Sequence, residues 1–114
     1  MNRAVEIFNQ VPKTHNCAQA VAAGCGWETL VAELATCGRG NAPQGRCGAL
    51  HAAMCMLPPE DQEEVRRRFV ESAGAEQCQE IRNLRRFTCA DCVRRAAELV
   101  EEVNRVSDHR ERFR

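Results

Sequence analysis

Cys89-Ala90-Asp91-Cys92-Val93-Arg94-Arg95-Ala96-Ala97-Glu98-Leu99-Val100-Glu101-Glu102-Val103 is the stretch whose reading decides the fold. Val93, Ala96, Ala97, Val100 and Val103 recur at three- and four-residue spacing with charged residues between them, which is the buried stripe of an amphipathic α-helix. Thr88 stands just ahead of it, and Asp91 three residues on completes a capping-box pattern, so the helix has a defined start. From Ser107 the chain turns to charge, with Arg110, Arg112 and Arg114, and residues 107–114 are expected to fray.

The same period runs back through the chain. Ala4, Val5 and Phe8 give a short first helix, ended near Val11-Pro12 because proline disfavours helical geometry in the residue before it. Asn16 is placed to cap a second helix from Cys17 to about Ala23, which Gly24 and Gly26 stop. Trp27 to Thr36 supplies a third, with Leu30, Val31 and Leu34 inward. Between Gly38 and Gly48 the glycines Gly38, Gly40, Gly45 and Gly48, with Asn41 and Pro43, mark a loop whose backbone turns and approaches something closely.

Cys47 to about Met56 then carries almost only small or sulfur-bearing residues and must be buried against several neighbours. Pro58 and Pro59 open the next helix, where Val65, Phe69 and Ala73 form the buried stripe and Gly74 the end. No segment alternates apolar and polar residues for long enough to make a strand. The expectation is therefore an all-α fold: one compact domain over 1–106, of about five or six short helices, with a glycine-rich loop before Cys47.

Charge excludes some functions. Sixteen basic side chains balance sixteen acidic ones, which removes the broad electrostatic case for nucleic acid or an anionic membrane as a partner. Arg66-Arg67-Arg68 follows Glu63 and Glu64 at helical spacing, so Glu63 with Arg67 and Glu64 with Arg68 are expected as surface pairs rather than as a phosphate site. No stretch reaches the roughly 18 apolar residues of a membrane span. Met1 to Phe8 lacks the apolar core and cleavage signature of a signal peptide, which points to the cytoplasm.

Eight cysteines in 114 residues then become the main chemical signal. In a reducing compartment such usage suggests metal ligation or redox chemistry rather than a disulfide framework. Only Cys89 and Cys92 form a Cys-x-x-Cys pair, so a sequence-local zinc knuckle module is not indicated, while a site assembled from distant helices stays open. Cys17, Cys47 and Cys89 fall at or near helix starts, where unpaired amides and the helix dipole favour a thiolate. Cys25, Cys37 and Cys55 read first as buried small apolar residues, although His51 one turn before Cys55 would also suit a ligand pair.

Other motifs fail. Cys89-Ala90-Asp91-Cys92 is followed by Val93, not histidine, and lacks the strand-helix setting of a thioredoxin site. The glycine loop does not end in Gly-Lys-Ser/Thr, as a phosphate-binding loop does.

Asn16-Cys17-Ala18-Gln19-Ala20-Val21, Cys47-Gly48-Ala49-Leu50, Cys78-Gln79-Glu80-Ile81-Arg82, and Cys89 four residues before Val93 with Ala96-Ala97-Glu98-Leu99 beyond it, resemble the C-GCAxxG-C-C family of redox proteins in order and spacing from about Ala4 to Val103. A similar domain occurs in split-Soret cytochrome, in association with an iron-sulfur centre. The resemblance implies that Cys17, Cys47, Cys78 and Cys89 are cluster ligands or redox thiols, with a redox protein as partner. Ala52 departs from the family's final glycine, and Cys25, Cys37, Cys55 and Cys92 are additional to its four cysteines.

Three functions follow as expectations. The first is electron transfer through an iron-sulfur centre held by some or all of the four cysteines. The second is a metal-free thiol-disulfide relay, with Cys89 and Cys92, or Cys47 and Cys78, as pairs to test. The third is a helical interaction module with structural zinc. With only Phe8, Trp27, Phe69, Phe87 and Phe113 as aromatics the core is thin, which leaves room for a homodimer.

Overall fold

The computed structural model describes residues 2–38 and 41–112, and side chains through Asn104. The described residues form an all-α globule of seven helices, α1 Arg3–Phe8, α2 Cys17–Gly24, α3 Glu28–Val31, α4 Gly48–Cys55, α5 Pro59–Ala73, α6 Cys78–Leu84 and α7 Cys89–Arg112. A single 3-10 turn, Pro43–Gly45, lies in the loop before α4. There is no strand among them, only an isolated antiparallel bridge between Arg46 and Gln77.

Three helices make the centre. α2, α4 and α7 pack pairwise on one another, with α1 laid over α2 and α7, and α5 over α4 and α7. Their contact faces are mostly alanine: Ala18, Ala20 and Ala22 of α2, Ala49, Ala52 and Ala53 of α4 and Ala96 of α7 are buried. Small side chains let helix axes approach closely. Bulk comes from Phe69, Leu50, Leu99, Val21, Val65 and Val93, the largest fully buried side chains. Where α1 meets α2, a Cβ on Gly24 would stand 2.6 Å from the Ala4 backbone, so this crossing requires glycine.

The sequence reading accounts for most of this and errs in three places. The helix missed from the expected five or six is α6, seven residues whose only buried side chain is Ile81, too short for a periodic signal. The expected helix from Trp27 to Thr36 is regular only over Glu28–Val31, since residues 32–36 continue as turns. Leu34 is nevertheless buried, and the helical period had marked its inward position. On α5, Arg68 pairs with Glu64 as expected, but Glu63 pairs with Arg66 at i,i+3, and Arg67 turns to Glu64 and Glu71. Adjacent i,i+3 and i,i+4 partners compete on an exposed face, and each pair contributes little.

Gly40, the side chains of the 107–114 tail, and Phe113 and Arg114 altogether lie outside what is described, although the α7 backbone is helical to Arg112.

Candidate thiol site

The four cysteines singled out in sequence each open an element. Cys17 is the first residue of α2, Cys78 of α6 and Cys89 of α7, and Cys47 is the N-cap of α4. Two of these starts, those of α2 and α7, are fixed by local capping. Asn16 caps α2 through a capping box with Gln19, and its side-chain amide also donates to the Leu34 and Ala35 carbonyls at 3.0 Å. One asparagine therefore sets Cys17 and anchors the chain after α3. At α7 the expected capping box is present: the Thr88 amide donates to Asp91 at 2.9 Å, and the Asp91 amide to the Thr88 hydroxyl at 3.1 Å.

Cys47 and Cys78 are brought together by backbone. The bridge between Arg46 and Gln77, reinforced by the Cys47 amide donating to the Glu76 carbonyl at 2.8 Å, ties the segment entering α4 to the segment entering α6. Each cysteine lies one residue beyond the bridge.

Gly48 completes the arrangement. A Cβ there would meet the Cys37 carbonyl oxygen at 2.4 Å and the Cys17 sulfur at 2.7 Å. Only a residue without a side chain lets α4 begin against Cys17, which is a physical reason for glycine after Cys47. Ala52, at the position where the family pattern has glycine, is fully buried in the core.

Cys17, Cys47, Cys78 and Cys89 line one cavity of about 410 Å³, and Cys92 lines it with them. Sulfurs 72 positions apart in the chain, from 17 to 89, thus share one space. Cys92 is the site residue that the sequence reading set aside as additional. Its signal was available, since a residue three positions after Cys89 in the first turn of a helix shares its face.

Comparison of the chain with protein-family models, curated proteins and solved structures returns no match.

Accessibility divides the five thiols: Cys47 and Cys92 are buried at 5% and 4% exposure, Cys17 and Cys78 are half-buried, and Cys89 is exposed. None of the eight cysteines, all of them described, is disulfide-bonded. Cys92 donates its thiol proton toward Cys47, and this bond, assisted by the Ala49 and Leu50 amides at the start of α4, holds the Cys47 thiol below the ordinary range despite burial. Those amides act on the sulfur through their field, because Cys47 makes no formal side-chain cap. The same pairing drives the Cys92 thiol upward, as do burial and the nearby sulfurs of Cys47, Cys89 and Cys17.

Cys78 is shifted in the opposite direction to Cys47. Burial pushes it up, the sulfurs of Cys47 and Cys89 add to the rise, and Arg82 opposes.

Around the sulfurs the wall is apolar, with Phe8, Ile81 and Phe87, and it carries two cations, Lys13 and Arg82. Lys13 donates from Nζ to the Phe8 carbonyl at 2.9 Å and sits 3.5 Å over the Phe8 ring. No carboxylate is among the described lining residues.

The other cysteines lie elsewhere. Cys25 lines a separate polar cavity beside Arg94 and Glu101, and burial, then Glu101, pushes its thiol up to about 11. Cys55 is exposed, which corrects the reading of it as a packed apolar residue: α4 turns its last residue outward, where the Cys55 sulfur meets His51 Nε2 at 3.5 Å. Cys37 is half-buried, as that reading requires only in part.

Among the described residues no three His, Cys, Asp or Glu side chains converge as a single metal ion requires.

Proposed function

We propose that this protein is a cysteine-based electron-transfer protein whose redox group is an iron-sulfur centre seated among Cys17, Cys47, Cys78 and Cys89. The observation that supports the reading is the meeting of these four cysteines, from four separate elements, in one largely apolar cavity. Iron-sulfur centres are commonly held by four thiolates, and a dry wall with nearby cations raises and tunes their potential. Lys13 and Arg82 offset the negative charge of thiolate ligands, and exposed Cys89 leaves one edge of the site within reach of a redox partner protein. The resemblance to C-GCAxxG-C-C proteins points the same way. Structural zinc, the alternative metal, is less well served by thiols that do not converge on one point.

The test is iron, acid-labile sulfide and zinc per chain, with a visible spectrum, on protein purified without oxygen. Brown protein with iron and sulfide in equal amounts, lost on Cys→Ser substitution of the four ligands, is the expected result. Colourless, iron-free protein that also resists reconstitution would end this reading.

A second reading rests on a different observation. Cys47 and Cys92 are both buried and line the same cavity, which suits a thiol-disulfide relay without metal. The pair is neither Cys89 with Cys92 nor Cys47 with Cys78, the two pairs that sequence suggested.

A further inference from the structure

The five thiols are arranged in order of access. Cys89 is exposed at the start of α7, Cys92 lies buried one turn further along the same helix, and Cys47, equally buried, lines the same cavity. The described wall around them bears Lys13 and Arg82 and no carboxylate. A volume of about 410 Å³ falls within the range of small-molecule sites.

We infer that Cys89 is the outer thiol through which a small anionic disulfide oxidises this cavity, and that the oxidation comes to rest as an inner Cys47–Cys92 disulfide. This deepens the thiol-disulfide reading and rests on it. The chemistry balances in three exchanges. The Cys89 thiolate attacks one sulfur of the incoming disulfide, whose S–S bond breaks and releases one small thiolate. Cys92 attacks the Cys89 sulfur of the mixed disulfide and expels the second small thiolate. Cys47 then attacks Cys92, forming the inner bond and returning Cys89 as a thiolate.

Overall, two protein thiols are oxidised and one external disulfide takes up two electrons. The protons of Cys47 and Cys92 leave with the two released small thiols. The inner pair is the favoured resting place because both sulfurs are buried and solvent thiols reach them poorly. Lys13 and Arg82 favour an oxidant that carries carboxylates.

The test uses the full-length, metal-free, reduced protein under anaerobic conditions with glutathione disulfide as the probe, and linkages are read by mass spectrometry after acid quench. A dominant Cys47–Cys92 bond is expected in the unmodified sequence. Its formation should slow about tenfold or more in Cys89→Ser and stay within about twofold in Cys55→Ser, whose exposed thiol lies outside the cavity. Cys92→Ala, with unchanged far-ultraviolet circular dichroism, should trap glutathione on Cys89. Cystamine, a cationic disulfide, should react more slowly than glutathione disulfide at equal concentration.

A Cys47–Cys92 bond formed at full rate without Cys89, or glutathione trapped on Cys78 instead, overturns the assignment of the outer thiol while the relay reading survives. A dominant Cys89–Cys92 bond, or scrambled linkages, overturns the inner pair. Thiols that all remain reduced in excess glutathione disulfide overturn the relay reading itself.

Discussion

A cysteine at the start of a helix and a cysteine with a proton donor at its sulfur are chemically different, and Cys47 is both. The donor matters more: Cys92 is the largest cause of the lowered Cys47 thiol, ahead of the Ala49 and Leu50 amides. Cys78, which opens a helix of seven residues, is raised because burial there outweighs Arg82. The sign of the Cys47 shift follows from which protonation state the donor stabilises. A hydrogen bond to the thiolate favours loss of the proton, so Cys47 is charged at pH values where an ordinary thiol, near about 8.5, is neutral. In reduced, metal-free protein one thiolate per chain should therefore appear in an ultraviolet pH titration before the others. Cys92→Ala removes the donor and leaves burial to dominate, so that early step should move upward into or past the ordinary range. An early step that persists in Cys92→Ala would show that the α4 amides alone suffice. Residue-level chemistry was partly readable in sequence: Asn16 before Cys17 and Thr88 with Asp91 announced their caps. The raised thiol of Cys78 was not readable, because burial is set by residues remote in the chain.

Among the elements, α7 carries the most. It supplies Cys89 and Cys92 to the cavity and Val93, Ala96, Leu99, Val100 and Val103 to the core. Its start is held by the reciprocal Thr88 and Asp91 bonds, and loss of such a cap costs about 0.5–2 kcal/mol. Thr88→Ala should lower the urea midpoint by a corresponding amount. It should also speed maleimide labelling of buried Cys92 relative to Cys47, since fraying of the first turn exposes the former and not the latter. The strong period of α7 made it the clearest feature of the sequence. α6 was illegible for the opposite reason, because a single buried residue in seven gives no period, and its position is set by the backbone bridge at Gln77 together with buried Ile81. The regular part of α3 ends early, and the turns that follow are held by Asn16 and Gln19 side chains reaching across from α2. Such long-range bonds leave no periodic trace.

For the molecule as a whole, the radius of gyration of 13.3 Å is that of a compact domain of this length, reached with few large side chains. Alanine faces bring α2, α4 and α7 close, and Phe69 of α5, the largest fully buried side chain, belongs to the helix that packs over α4 and α7. In so small a core one large residue carries a large share of stability. Phe69→Ala should cost about 3–5 kcal/mol, measured by urea unfolding of the reduced protein, through lost burial and the cavity left behind. No described helix is long and apolar enough to cross a membrane.

The sequence by itself determined the helical class, the starts of α2 and α7 and the face that α7 buries, because caps and periodicity are local and each is written within a few residues; the four cysteines worth following came as a set from the resemblance. The tertiary structure decided that Cys17, Cys47, Cys78 and Cys89 line one cavity, that Cys92 joins them, buried like Cys47, and that Cys55 stands outside. Those facts depend on the bridge from Arg46 to Gln77 and on the close approach at Gly48, both made between segments distant in the chain. Distances across a fold are set by the packing of all its helices together, and no local pattern encodes them.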